Sequence, residues 1–347
     1  MTALPEQPER ILIIKPSALG DLVTAMPVLR GLRRAFPKAK IDWLVSSHLA
    51  PLIEGDRDLS GLVLFDRKAL GSWWRSASSM KSLRSLLAAL GGGRYDWAID
   101  LQGLLRSGLF TRATRAAVRA GFADAREGAP CFYNRPVAVG ALHTVDRNIE
   151  LLAALGPTAR PQDMTLTPTP AGVQYAADFC RGERIAPRKF IVCVPSTRWV
   201  TKVYPAHHWR QVAAALGQET HVVLLGARED RGVADVIAEN QPRTVVNLVG
   251  LTDIPQMVGL IAASGGVVCS DSAAKFIAPA VGVDCATLIG PTQVARTGPY
   301  LRGRAIVAPV PCQGCLKKCC RHITCMESIP PAAVIAAARE MLAAAGA

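Results

Sequence analysis

Short β-branched or apolar runs alternate along this chain with longer amphipathic stretches, the grammar of βα units that build parallel sheets. In the first half the predicted strands are Ile11–Lys15, Ile41–Val45, Leu62–Phe65 and Trp97–Leu101. Between the first two, Leu22, Met26, Leu29 and Leu32 lay an apolar stripe along one face of a helix over 22–35, which Pro37 stops. The second half repeats the pattern with strands at Phe190–Val194, His221–Leu225, Val245–Val249, Val267–Ser270 and Ala286–Ile289. Two doubly wound sheets is the reading, and the 347 residues are more than one hydrophobic core usually covers. The join is expected where Gly156-Pro157 through Pro161 and Thr167-Pro168-Thr169-Pro170 resist both helix and sheet. That places one domain at 1–160, a second at 171–330 and a terminal helix at 331–347.

Half of the residues are apolar and 19% are charged, which excludes intrinsic disorder. No collagen register, sustained heptad or 20–50-residue repeat is present. The net charge of +13 suits acidic partners: nucleotide phosphates, an anionic lipid surface or nucleic acid. The Lys and Arg residues form no aromatic-interleaved stripe, which argues against nucleic acid. Apolar runs such as Val245–Val249 and Val281–Ile289 fall short of the roughly 20 residues that span a bilayer. The opening Met1–Arg10 is polar and Ile11–Ile14 is too short for a signal-peptide core, so a cytoplasmic location is expected.

Open parallel sheets bind ligands outside the carboxyl ends of their strands, so two facing sheets make a cleft walled by the loops that follow each strand. After the first strand comes Lys15-Pro16-Ser17-Ala18-Leu19-Gly20-Asp21. Two readings of Asp21 stand: a carboxylate in the first helical turn, or a general base facing the cleft. In the second half Ser196, Thr197 and Lys202 follow a strand, hydroxyls and a cation where a diphosphate could dock, though an exposed loop also carries lysines without purpose. Glu229 and Asp230 follow the next strand, placed either for ribose hydroxyls or as an acidic helix start. Asp271 and Ser272, followed by Ala273 and Lys275, are placed both to cap the next helix and to set its N–H groups toward a phosphate. No P-loop, dinucleotide glycine fingerprint, nucleophile elbow or HExxH occurs. Five of ten cysteines crowd into 312–325. Cys312, Cys315, Cys319 and Cys325 could share one structural Zn²⁺ or an iron–sulfur centre, or remain thiols.

Three stretches together resemble the N-terminal half of the heptosyltransferases of glycosyltransferase family 9. They are Ile11-Leu12-Ile13-Ile14-Lys15-Pro16-Ser17-Ala18-Leu19-Gly20-Asp21, then Arg94 through Ser107, and Arg126-Glu127 with Phe132-Tyr133-Asn134. The Lys202 loop, Asp271-Ser272 and Gly290-Pro291-Thr292 resemble the donor half of that family. The resemblance implies an α/β GT-B fold of two Rossmann-like domains, with a last helix packing back on the first. It implies inverting, metal-independent transfer from ADP-heptose to Kdo-lipid A or a similar acidic glycolipid in the lipopolysaccharide inner core, at the cytoplasmic face of the inner membrane.

On that resemblance Asp21 is the base, and Lys202 meets the diphosphate with Ser196 and Thr197 beside it. Glu229 and Asp230 hold the ribose. Asp271, Ser272, Ala273, Lys275, Gly290, Pro291 and Thr292 line the phosphates and donor sugar, while Ser17, Gly20, Gln102 and Arg126 face the acceptor. The stretch Asp271-Ser272-Ala273-Ala274-Lys275-Phe276 departs from the family pattern, with Ala273 at a usual glycine and Phe276 at a usual histidine. A relative that uses another nucleotide sugar or acceptor, or that binds one without catalysis, is the alternative.

Overall fold

The computed structural model describes residues 7–66 and 76–346, which leaves Met1–Glu6 of the opening segment and Ala347 of the terminal helix outside the described residues. The chain divides into two compact units, Met1–Met164 and Thr165–Ala347.

The first unit's strands are β1 (Arg10–Ile14), β2 (Lys40–Ser46), β3 (Gly61–Phe65), β4 (Trp97–Asp100), β5 (Val118–Phe122) and β6 (Arg135–Val137). Every pairing is parallel and the order is β3-β2-β1-β4-β5-β6. The second unit has β7 (Phe190–Val194), β8 (His221–Leu224), β9 (Val245–Asn247), β10 (Gly266–Ser270), β11 (Cys285–Leu288) and β12 (Gly303–Ile306), in the order β12-β11-β10-β7-β8-β9. Counted within each unit, both sheets run 3-2-1-4-5-6, the doubly wound order whose direction reverses between the first and fourth strands. The crevice outside the carboxyl edge at that reversal lies between the loops after β1 and β4 in one unit, and after β7 and β10 in the other.

Central strands such as β1 and β7 are buried along nearly their whole length, which is why they read as unbroken apolar runs. In the first unit Leu86, Leu90 and Phe110 of the helices Ala77–Gly92 and Leu105–Ala113 pack on Leu12, Ile14, Leu44, Phe65 and Ala98. Three strands have no counterpart among the sequence expectations. β6 carries Pro136 and β12 carries Arg304; both lie at sheet edges, where a missing or polar ladder partner is tolerated. The third, β5, is interrupted in pattern by Arg119 and Gly121.

The single helix expected over 22–35 is two, Leu19–Thr24 and Met26–Ala35, because Pro27 has no N–H to continue the first and sits at the opening of the second. The terminal helix Pro331–Gly346 commits Val334, Ala337, Ala338 and Met341 to the core of its own unit beside Val268 and Ala286.

The helices Pro170–Gly182 and Ile254–Ala263 cross where Gly172 meets Gly259, and a methyl on Gly259 would collide with the Gly172 carbonyl. Gly259→Ala is expected to destabilise the second unit by about 1–3 kcal/mol, read from chemical denaturation, through this overpacking.

Candidate active site

The second unit gathers its chemistry at the β7/β10 reversal. Asp271, directly after β10 and 4% exposed, ion-pairs with Lys202 Nζ at 2.9 Å through Oδ2 and with Lys275 Nζ through Oδ1. Thr292, in the loop after β11, donates its hydroxyl to Oδ2. Burial works to raise the Asp271 carboxyl, but Lys275 and Lys202, with the hydrogen bonds from Lys275 and Thr292, outweigh it and hold the group below the usual carboxylate range. Two buried or half-buried cations on one carboxylate leave this corner with a net positive charge, a fit to an anionic ligand. Thr197 donates to the Asp271 carbonyl at 3.1 Å, and Ser270 donates to the Pro195 carbonyl at 2.6 Å, so the β7 and β10 loops are laced together.

The expected capping of the next helix by Asp271 and Ser272 is corrected. That helix, Ala274–Ala280, has Ala273 at its cap position with no side-chain cap, because Asp271 is drawn to the two lysines. The Ser272 hydroxyl oxygen is buried without a hydrogen-bond partner. Lys275 points at Asp271, and its ammonium sits 4.9 Å from the Phe276 ring centroid with Phe276 itself buried.

Asp230 engages Ser196 and accepts from the Ala227 N–H at 3.1 Å, an acidic turn closing the β8 loop, while Glu229 is exposed. Burial pushes the Asp230 carboxyl up, with Glu229 adding to it against the bonds from Ala227 and Ser196. Gly290 has a packing role: a Cβ there would lie 2.6 Å from Met326 Sδ and 2.8 Å from Cys325 Sγ.

The cysteine-rich segment is built into this corner, which the thiol spacing alone did not show. Gly314 N donates to Gly290 O at 3.1 Å, Leu316 N to Pro291 O at 2.6 Å, and Thr201 Oγ1 to Lys317 O at 2.9 Å. Lys202 and Lys318 both lie over the Trp199 ring, 4.3 and 5.0 Å from its centroid. The pair Lys317-Lys318, overlooked among the cysteines, was the available signal for this second source of cations. The expected metal set finds no support. Among the described residues no group of three or more His, Cys, Asp or Glu side chains could hold a metal ion. Cys312, Cys315 and Cys319 are exposed on the loop, while Cys325 faces the core with Met326 and Ile329. Burial, and then Cys312 and Cys315, raise the Cys325 thiol.

In the first unit the same reversal, between β1 and β4, brings Ser17 and Gln102 together, with the Ser17 N–H donating to Gln102 Oε1 at 3.4 Å. Asp21 lies in the first turn of Leu19–Thr24 and accepts from the Ala18 N–H at 3.0 Å, leaving the half-buried carboxylate partly open to solvent. Gly20 precedes it in the same turn. The Arg126 N–H donates to Gly103 O at 3.0 Å, and its side chain is exposed.

That loop is set by Asp100, which sequence reasoning passed over inside its strand. Fully buried, Asp100 accepts from Tyr133 OH at 2.7 Å, Gln102 N at 2.8 Å and Gly103 N at 3.1 Å. Burial raises its carboxyl against these bonds. Gly121 makes this possible, because any Cβ there would run into the Tyr133 ring. Lys15 is also buried and donates to Leu101 O at 2.7 Å, tying the β1 and β4 loops together.

Two doubly wound units, each with a polar constellation at its reversal point and one of them cationic, define a glycosyltransferase of the GT-B class. The profile of glycosyltransferase family 9 (heptosyltransferase) matches residues 83–325, and the chain belongs to that family. Lipopolysaccharide heptosyltransferase 1 of Pseudomonas aeruginosa is 29% identical over 334 residues, covering 90% of this chain and 88% of that protein. Among solved structures, E. coli ADP-heptose lps heptosyltransferase II superposes with a TM-score of 0.78 at 23% identity, covering 97% of this chain and all of the other. The E. coli heptosyltransferase WaaC with ADP gives 0.77 at 24%, covering 96% and 99%. The chain is thus similar throughout to heptosyltransferases of lipopolysaccharide core biosynthesis.

Proposed function

We propose that this glycosyltransferase moves L-glycero-D-manno-heptose from ADP-heptose to a Kdo-type acceptor of the lipopolysaccharide inner core, with inversion and without a metal. The donor side rests on the Lys202–Asp271 pair at the β7/β10 reversal, a place where doubly wound sheets receive nucleotides. Asp271 orients Lys202, and Trp199 beneath it limits where the ammonium can go. The orphan Ser272 hydroxyl offers a hydrogen bond to the ligand, and Asp230 with Glu229 is placed for ribose hydroxyls.

Asp21 accepts the proton of the acceptor hydroxyl. The resulting oxygen attacks the anomeric carbon as the bond to the diphosphate oxygen breaks, and ADP leaves with its developing charge met by Lys202. A single displacement from the far face inverts the anomeric configuration. Ser17, Gly20, Gln102 and the Arg126 guanidinium surround the acceptor, whose carboxylate and phosphates suit a cation. The membrane-borne acceptor places the enzyme at the cytoplasmic face of the inner membrane. No helix among the described residues is long and apolar enough to cross one.

Calorimetric titration with ADP, ADP-heptose and UDP- and GDP-sugars tests the donor. The ADP series is expected to bind tightest, and Lys202→Met to weaken ADP by about 10- to 100-fold, the worth of hydrogen bonds to a charged group. Tighter binding of a UDP- or GDP-sugar, or an unchanged ADP affinity in the variant, would refute the assignment.

A further inference from the structure

One stretch of the first unit, which includes two neighbouring helices, carries a local excess of positive charge. From Ser76 to Ala123 there are seven Lys and Arg residues and two carboxylates, Asp96 and Asp100. Neither carboxylate is available to neutralise a surface. Asp100 is fully buried, and Asp96 accepts from the Glu9 and Arg10 N–H groups at 2.7 and 2.9 Å. The helices Ala77–Gly92 and Leu105–Ala113 pack side by side, with their inner faces spent on the core. Their outer faces carry no acid. The first presents Lys81 and Arg84; the second presents Leu105 and Leu109, 45% and 47% exposed, with Arg106 and Arg112.

Residues 105, 109 and 112 fall on one face of a helix, so two bare leucines and an arginine point the same way. Of the acids just outside the stretch, Glu127 accepts from the Leu105 N–H at 3.2 Å and Asp124 pairs with Arg147. Exposed leucines beside exposed cations match a surface whose outside is anionic and whose interior is hydrocarbon. The leucine helix also begins three residues after Gln102, on the acceptor side of the β1/β4 reversal.

We infer that the outer face of these two helices, with Leu105 and Leu109 as wedges and Lys81, Arg84, Arg106 and Arg112 as phosphate contacts, docks this protein on an anionic lipid bilayer. This rests on the proposed reading that the acceptor is a glycolipid. Docked in this way, the Gln102 loop faces the headgroups from which the acceptor hydroxyl projects.

Vesicle co-sedimentation of the full chain tests the surface, using phosphatidylglycerol–phosphatidylethanolamine vesicles against phosphatidylcholine vesicles. The wild type is expected to bind the anionic vesicles at least tenfold more tightly, with an affinity that falls with salt. Lys81→Glu/Arg84→Glu/Arg112→Glu and, separately, Leu105→Ser/Leu109→Ser are each expected to lose at least tenfold. Because these residues are exposed, both variants should melt near the wild type. They should also retain wild-type turnover on a deacylated, water-soluble acceptor while losing it on acceptor embedded in vesicles.

Equal binding to both vesicle types, variants that bind like the wild type, or an equal loss of turnover on the soluble acceptor would each overturn the docking surface. A dimer abolished by Leu105→Ser/Leu109→Ser would do the same, by assigning the face to a second copy of this chain. Anionic-vesicle binding lost in the variants, with no heptosyl transfer to either acceptor by the wild type, would uphold the surface and refute the acceptor reading alone.

Discussion

Asp21→Ala is expected to lower kcat by about 10²- to 10⁴-fold, the usual worth of a positioned general base, while the ADP affinity stays at the wild-type value. The separation follows from the fold. Asp21 follows β1 of the first unit, whereas the ammonium groups assigned to the diphosphate belong to the second. The carboxylate also accepts from the Ala18 N–H, so the same substitution should cost about 0.5–2 kcal/mol of stability as a lost cap. Asp21→Asn discriminates between the two roles, since an amide oxygen still accepts that hydrogen bond but cannot take a proton. Near-normal stability with turnover still lost would identify the base. A variant that turns over at the wild-type rate would reduce Asp21 to a cap.

Asp271→Ala is expected to destabilise the second unit by about 3–5 kcal/mol, because it strands Lys275, 5% exposed, and the largely buried Lys202 without their counter-charge. The double variant Asp271→Ala/Lys275→Met should recover a substantial part of that loss, since the cost lies in the unpaired buried ammonium rather than in the missing carboxylate. The pair also sets a pH dependence. The folded carboxyl titrates below its unfolded value, so its stabilisation is fully present above the ordinary carboxylate range and is lost as pH falls through the depressed folded value. Denaturation midpoints between pH 6 and pH 3, roughly spanning that range, should show an acid-side loss that Asp271→Asn removes. A flat profile in the wild type would contradict the ion-paired assignment.

The architecture was legible because buried parallel strands must be apolar from end to end. β7 and β10 could be read directly, and with them the loops carrying Lys202 and Asp271. The edge strands β6 and β12 were not legible, since Pro136 and Arg304 are acceptable only where a strand lacks a second neighbour. Within the site, charge and position along the chain indicated Lys202 and Asp271, and the family resemblance Thr292, but none of these gave their mutual geometry. Lys275 read as a possible phosphate ligand, and only the fold shows its ammonium turned onto Asp271 with Phe276 beside it.

Asp100 and Tyr133 were hidden for a different reason. Their bond joins residues 33 apart, and depends on Gly121 leaving room for the ring. The tail cysteines misled because thiol spacing drew attention from the lysines among them. The segment's visible work is to bind Gly290, Pro291 and Thr201 by hydrogen bonds, which holds the loops after β7 and β11 in register.

The central claim is the transfer itself, and the measurement that meets it most directly is the anomeric configuration of the product formed from ADP-heptose and Kdo-lipid A, read by NMR in the presence of a metal chelator. The account predicts one heptose per acceptor, stoichiometric ADP, and a linkage opposite in configuration to the donor. Transfer with retention, or no transfer from ADP-heptose while another nucleotide sugar is consumed, would contradict it.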